Sequence, residues 1–387
     1  MSATTGPLLP GATLGVMGSG QLGRMFALAA RPMGYRVITF SPGEHTPTGQ
    51  VADGEISADY LDTAALDTFA AQVDAVTVEF ENIPADALRH LAQHVPVRPG
   101  AEVVSMAQSR IREKQGLARL GYPTVNFSII DRFEDLTPAL ESLGGPGILK
   151  TAGFGYDGKG QRAVEFGDDL AAAWHGIGAQ QAVLERRMNF VAELSVVGAR
   201  GVSGAFSHVG PILNDHHDHI LDISTLGAPF DPEIVDEAVT ITRNLMADLD
   251  AVGVLCVEFF LGADGALVIN ELAPRPHNSG HLTIEGCIAS QFDQQVRTVC
   301  GFDPTPTRLT APVAAMANLL GDLWFDGETM RTPQWAALAH WPEIKLHLYG
   351  KGEARRGRKM GHITAVGDDP IRVPQRLRAA RAALTRA

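Results

Sequence analysis

Apolar positions in the first 80 residues come in short runs broken by glycines, and their spacing alternates between that of buried strands and that of a helix. "ATLGVM" (12–17) reads as a strand, "GSGQLGRMFALAARPMG" (18–34) as a glycine turn opening a helix, and "YRVITF" (35–40) as a second strand. Gly18, Gly20 and Gly23 then sit where a βαβ unit can offer a helix N-terminus to a phosphate. A dinucleotide site of that type closes its second strand with an acid for the ribose, but here the strand runs into Phe40, Ser41 and Pro42. A Rossmann-like layer is expected, and an NAD site is disfavoured. "DAVTVEFENIP" (74–84) continues the layer with a strand that ends in Glu79 and Glu81.

A helix is expected from about Ser105 to Leu120, placing Arg110 and Lys114 on one face, where most such pairs are solvated charge. "GYP" (121–123) marks a boundary, and "PGILK" (146–150) reads as a buried strand ending in a lysine. The loop that follows, "KTAGFGYDGKGQ" (150–161), satisfies G-x-G-x-x-G and the start of G-x-x-x-x-G-K-[ST], but Gly160 removes the hydroxyl that would ligate Mg²⁺. With no helical period over 151–165, a flap that covers phosphates is favoured over a plain glycine-rich surface loop.

Two β-rich runs in "GVLCVEFFLGADGALVINELAPRPHNSGH" (253–281) flank Asp264-Gly265, a strong hairpin signal. A two-residue turn there places Glu258 opposite Glu271. Like charges facing each other among apolar neighbours are destabilising unless a cation compensates, and oxygen ligands suit Mg²⁺, so these carboxylates are the expected metal pair. A solvated strand face is the plain alternative. "NDHHDH" (214–219) has metal-type residues, but nothing fixes a ligand geometry.

Composition narrows the class. The 387 residues, 45% hydrophobic and 20% charged, suit a soluble protein of several domains. Cys256, Cys287 and Cys300 lack metal or redox spacing, and a cytoplasmic location is expected. A net charge of −12 argues against a nucleic-acid or membrane surface. It gives the basic run Lys351, Arg355, Arg356, Arg358 and Lys359 a local purpose, and a solvated loop is its bland reading.

A strand lysine before a glycine-rich loop, an "ERRMNFVAEL" segment and paired carboxylates near an arginine resemble the ATP-grasp superfamily. More closely, "GSGQLGRM", "GYDGKGQ", "NELAPRPHNSGH" and "YGKGEARRGRKMGH" are similar to the 5-(carboxyamino)imidazole ribonucleotide synthase family, from about Gly15 to His362. The resemblance implies an α/β and α+β fold: a Rossmann-like N-terminal domain (1–107), an ATP-grasp small lobe with the flap (108–187), a large lobe with the hairpin (188–310) and a small β-rich C-terminal domain (311–387).

Carried onto this chain, the resemblance implies ATP contacts at Arg110, Lys150, Gly155, Tyr156, Asp157, Gly158, Lys159, Gly160, Gln161, Glu185, Arg186, Arg187, Met188, Glu193, His216, Asn270 and Glu271. Within that set Glu185 and Met188 match the adenine edge and Glu193 the ribose. It implies ribonucleotide contacts at Gly20, Gln21, Leu22, Glu81, Tyr156, Asp157, Arg275, His277, Asn278, Ser279, Lys351 and Arg358, and catalytic roles for Arg275, His277 and Lys159. Ala273 stands where many ATP-grasp relatives have a third metal-ligating Asn, which leaves Glu258 and Glu271 as the pair.

The function implied is ATP- and bicarbonate-dependent carboxylation of aminoimidazole ribonucleotide through carboxyphosphate in purine biosynthesis, with Mg²⁺ or Mn²⁺ and as a homodimer. Alternatives are a formate-dependent glycinamide ribonucleotide transformylase, a NAD-dependent dehydrogenase and a non-catalytic ATP sensor.

Overall fold

The computed structural model describes residues 6–153 and 160–385. Its first layer is a parallel sheet of β1 (Thr13–Met17), β2 (Arg36–Ser41), β3 (Gly54–Ser57) and β4 (Ala75–Val78) in the order β3-β2-β1-β4. Helix α1 (Gln21–Ala30) covers it with Leu22, Met25, Phe26 and Ala30 buried, as the apolar spacing requires. Helices α2 (Thr63–Ala70) and α3 (Ala85–Leu91) close the other core, where Leu66, Phe69, Leu88 and Leu91 meet. The Rossmann-like expectation holds here.

The single helix expected over 105–120 is two helices, α4 (Ala101–Ala107) and α5 (Arg110–Arg119). Ser109 between them is extended (φ −133°, ψ 118°), and its hydroxyl accepts from the Arg112 N–H. Serine competes with the helical backbone in this way, so it starts a new helix where the apolar pattern alone runs on.

The next sheet is antiparallel, in the order β5-β8-β6-β7, from β5 (Phe127–Ile130), β6 (Gly147–Thr151), β7 (Gln161–Val164) and β8 (Ala182–Arg186), backed by α6 (Leu136–Leu143) and α7 (Leu170–Gly176). The flap residues 154–159, and with them Gly155, Tyr156, Asp157, Gly158 and Lys159, lie outside the described residues.

Strands β9 (Phe190–Arg200), β10 (Phe206–His217), β11 (Ile220–Leu226), β12 (Gly253–Gly262) and β13 (Leu267–Ala273) belong to one eight-stranded sheet. It is extended at the β11 edge by β14 (Val313–Leu320), past a small hairpin of β15 (Phe325–Asp326) and β16 (Thr329–Met330), and then by β18 (Lys359–Gly367) and β17 (Lys345–Leu348). Helices α8 (Pro232–Asp248), α9 (Thr283–Gly286), α10 (Gln291–Val299) and α11 (Arg372–Ala383) complete the chain. Phe292, Val296 and Val299 of α10 share a core with α1, which ties the large sheet to the first layer.

The hairpin of β12 and β13 differs from the expected one. Its turn is not two residues: Gly262 N–H donates to Ala266 O, and Gly265 takes φ +82°. Phe259 therefore pairs with Ile269 and Leu261 with Leu267, one residue out of the expected register. A bulge at Asn270 then inserts one extra residue and restores Glu258 opposite Glu271. The expected pairing is present, reached through a longer turn and a compensating bulge.

Candidate active site

Three cations gather where the small lobe meets this hairpin. Lys150 on β6 reaches Glu185 on β8 at 2.7 Å, Lys114 on α5 lies 3.7 Å from the same carboxylate, and Arg110 approaches Glu271 at 3.5 Å. Lys114 is wholly buried and donates to the Asn270 carbonyl (2.9 Å), so it is a structural strut and no solvated charge. Burial opposes ionisation of Glu185, but Lys150 and Lys114 outweigh it and hold the carboxyl below its usual range.

Lys150 is lowered as well, because burial and the neighbouring Arg110 and Lys114 together exceed the pull of Glu185. The two partners thus point in opposite senses about the strength of their pairing. The 2.7 Å contact and the two lysines around one carboxylate favour the ion pair. Glu113 beside them is pushed up to about 8 by burial and carries no compensating charge at neutral pH. Arg110, Lys114 and Lys150 against Glu185 and Glu271 leave positive charge over, which suits a polyphosphate.

Glu185 was expected at the adenine edge, but its carboxylate is turned inward to the lysines; Arg186 and Arg187 are exposed. Met188 sits against Gly262 of the hairpin. Glu193 on β9 and His216 on β10 come together at 3.3 Å. Burial works against charge on His216, but hydrogen bonding to Glu193 wins and raises its pKa. Gly160 closes the flap at φ +71°, where an added Cβ would stand 2.7 Å from the Thr151 hydroxyl, and Gln161 pairs with Lys150. A P-loop serine or threonine has no room at that position.

The segment after β13 builds the second half. His277 caps a 3₁₀ turn over Asn278–Leu282 and places Nε2 2.8 Å from Glu258 Oε1. Burial disfavours the imidazolium, but Glu258 overcomes it and raises His277 to about 10. Burial likewise opposes the carboxylate, and His277 brings Glu258 down to about 2. Nδ1 of His277 meets the Ser279 hydroxyl at 2.8 Å and the Ser279 N–H at 3.3 Å.

Ser279 continues to Ser195 (2.8 Å), whose hydroxyl accepts from Asn214 Nδ2 (3.0 Å), and Asn214 Oδ1 accepts from Ser224 (3.0 Å). Ser279 was expected to face substrate; it is completely buried and serves His277 instead. Asn278 differs: both polar atoms of its amide are buried without a partner among the described residues.

Arg275 and Glu81, 194 residues apart, form a direct ion pair. They were expected on opposite sides of a substrate, and they touch. Burial lowers the guanidinium pKa, but Glu81 more than offsets this, so the net shift is upward. Glu79 next to them accepts from the N–H groups of Gly20 (2.8 Å) and Gly23 (3.4 Å). The anion site at the start of α1 is thus filled by the protein's own carboxylate, which weighs against a dinucleotide there. Gln21 opens α1, while the Leu22 side chain lies in the core and has only its backbone to offer a ligand.

The basic loop reaches the same region. Gln50 Nε2 donates to the Gly350 carbonyl (2.8 Å) and Gln50 Oε1 accepts from Arg24 (2.9 Å), joining the loop to the first layer. Lys351 Nζ donates to Lys359 O (2.7 Å) and lies 5.6 Å from the centre of the Tyr349 ring. Arg358 donates to the Glu353 carbonyl (2.7 Å). Sequence reasoning passed over Glu113, Ser195, Asn214 and Ser224. Short polar residues inside apolar strands were the available signal for the last three.

Three family models match in order: a ribonucleotide synthetase preATP-grasp domain over residues 11–108, an ATP-grasp domain over 115–292, and a phosphoribosylaminoimidazole carboxylase C-terminal domain over 314–376. An N5-carboxyaminoimidazole ribonucleotide synthase of Bacillus subtilis (strain 168) is 41% identical over 361 residues, 92% of each chain. One from Brucella melitensis is 42% identical over 361 residues, covering 93% of this chain and 97% of that protein. The Staphylococcus aureus N5-carboxyaminoimidazole synthetase complexed with ADP superposes with a TM-score of 0.90 at 35% identity, over 98% of this chain and 100% of that one. An Aspergillus clavatus N5-carboxyaminoimidazole synthase with ADP and 5-aminoimidazole ribonucleotide gives 0.83 at 26% identity, over 97% and 99%.

Proposed function

We propose, from the premise that this chain belongs to the N5-carboxyaminoimidazole ribonucleotide synthase family of ATP-grasp ligases, that its cationic pocket and its His277–Arg275 segment divide one reaction between them. The enzyme carries out the ATP-dependent carboxylation of aminoimidazole ribonucleotide with bicarbonate in purine biosynthesis, releasing ADP and phosphate. The observation that carries this reading is the 3.5 Å approach of Arg110 to Glu271, which sets the lysine-lined pocket beside the hairpin carboxylates.

Lys150, Lys114 and Arg110 supply charge for the polyphosphate. Glu271, 41% exposed and approached by Arg110, and Glu258 opposite it offer the oxygen-only donors that Mg²⁺ favours. Bound there, Mg²⁺ would neutralise phosphate charge. Bicarbonate is a poor electrophile, so it first takes the γ-phosphoryl group to give carboxyphosphate. The exocyclic amine of the ribonucleotide then forms the C–N bond, phosphate departs with the electron pair of the C–O bond, and the amine proton leaves with it. Arg275, held by Glu81, is suited to bind the anionic carboxyphosphate, because a preset guanidinium in a largely buried position costs little reorganisation. His277, 2.8 Å from Glu258 and raised by it, is suited to act as a hydrogen-bond donor.

Asn278 reads as a ribonucleotide contact, and Lys351 and Arg358 as the clamp for its 5′-phosphate. Glu193 and His216 belong with the nucleotide ribose. Divisions at 107/108, 187/188 and 310/311, a homodimer and a cytoplasmic location complete the reading. Among the described residues no helix is long and apolar enough to cross a membrane.

The test is phosphate release. It should require bicarbonate and be stimulated by aminoimidazole ribonucleotide; turnover with formate and glycinamide ribonucleotide, and none with bicarbonate, would replace this reading.

A further inference from the structure

We propose that Asp67, His90 and His94 form a transition-metal site of the Zn²⁺ type on the surface of the N-terminal layer, joining α2 to α3 and separate from the ATP-dependent chemistry. His90 lies in the last turn of α3, and His94 follows four residues later in a turn that still holds helical bonds, with the His94 and Val95 N–H groups donating to Leu91 O (2.9 and 3.0 Å). Both rings therefore point the same way, and their centroids are 5.6 Å apart. Asp67 on α2 faces them because Leu66 and Phe69 pack against Leu88 and Leu91 beneath.

Both Nε2 atoms converge on a single oxygen, Asp67 Oδ1, at 2.7 Å from His90 and 3.6 Å from His94. The three ligand atoms all lie within 4.8 Å of one another. A tetrahedral ion with ligands at about 2.0–2.2 Å asks for donor atoms roughly 3.3 Å apart, within reach of small side-chain rotations. The bland reading is a pair of histidine–aspartate hydrogen bonds. Two features favour a metal over it.

Two imidazoles are aimed at one carboxylate oxygen of the aspartate, the nearby guanidinium of Arg89 is engaged by Asp86 and Glu102, and among the described residues no cation pairs with Asp67 beside the two histidines. Two nitrogens and one oxygen select Zn²⁺, Co²⁺, Ni²⁺ or Cu²⁺ over Mg²⁺, so the ion serving ATP would not fill this site. The side chains are 58%, 25% and 47% exposed for Asp67, His90 and His94, leaving a path for the ion and room for water as a further ligand.

The test uses the full-length protein, stripped with chelator and returned to buffer containing Mg²⁺, then titrated with zinc chloride by calorimetry and with Co²⁺ by visible absorption. One equivalent should bind, with affinity at least tenfold weaker in both His94→Ala and Asp67→Asn. Zn²⁺ should raise the unfolding midpoint of the parent and leave that of either variant unmoved, while zinc-free turnover is the same in all three. Asp67→Asn keeps the side-chain shape and guards against misfolding of the histidine variant. Absence of binding by the parent, or binding by both variants as strong as by the parent, would overturn the proposal; the latter would place the metal elsewhere, for instance at His216 and Glu193.

Discussion

The Nε2 atom of His277 lies 2.8 Å from Oε1 of Glu258, with the two side chains only 15% and 10% exposed. This contact makes the site's charge state depend on pH in a definite direction. The His277 pKa is raised to about 10 from an ordinary 6.5, so its contribution to stability is complete below 6.5 and is lost as pH rises through about 10. The Glu258 pKa is depressed to about 2 from 4.5, so its contribution is complete above 4.5 and is lost as pH falls through about 2. Breaking a buried pair costs about 3 kcal/mol or more. Urea unfolding of the parent and of His277→Gln should therefore differ most between about pH 4.5 and 6.5 and converge towards pH 10. A difference independent of pH would sink the ion pair.

Glu271 has the opposite character: half-exposed, it contributes little to the core. Glu271→Gln should change unfolding free energy by no more than about 0.5 kcal/mol, the range of ordinary surface substitutions. Its phosphate release should fall at least about a hundredfold, on the scale seen when one group stabilising transition-state charge is removed. Near-normal turnover would remove Glu271 from the metal pair.

Arg275→Ala should abolish bicarbonate-dependent phosphate release while ATP binding, followed by calorimetry, is retained. Arg275→Lys should recover little, because a single ammonium cannot reproduce the fork that holds Glu81 and an anion together. Full rescue by lysine would reduce the residue to a point charge.

Asn214 connects Ser195 to Ser224 in the chain behind His277. Asn214→Ala removes the acceptor of the buried Ser224 hydroxyl and one of the two partners of Ser195, and should cost about 1–3 kcal/mol. By loosening the support of His277, it should also move the alkaline limb of the pH–rate profile. A loss of stability with an unmoved profile would make the chain purely structural.

Arg358→Ala should raise KM for the ribonucleotide at least about tenfold, equivalent to about 1.4 kcal/mol, with KM for ATP little changed. Equal effects on both would return the basic run to a solvated loop.

The sequence by itself determined the first βαβ unit, the lysine at the end of its strand, the hairpin and the motifs of the family, because each is a local pattern: period two or 3.6, a turn dipeptide, a glycine spacing. It also put Glu258 opposite Glu271, although by a route the structure corrects. The three-residue turn and the bulge at Asn270 cancel, and neither leaves a trace in hydrophobic alternation. Only the tertiary structure decided which charges meet. Glu81 was legible as a strand-end acid and Arg275 as an anion ligand, but their pairing spans 194 positions. Glu79 occupies the N–H groups of Gly20 and Gly23 from 59 and 56 residues away, and Ser279 turns inward to Ser195 on another strand. A charged or polar side chain in a low-dielectric interior takes whichever partner the packed backbone brings within reach, and that choice is made by contacts far apart in the chain.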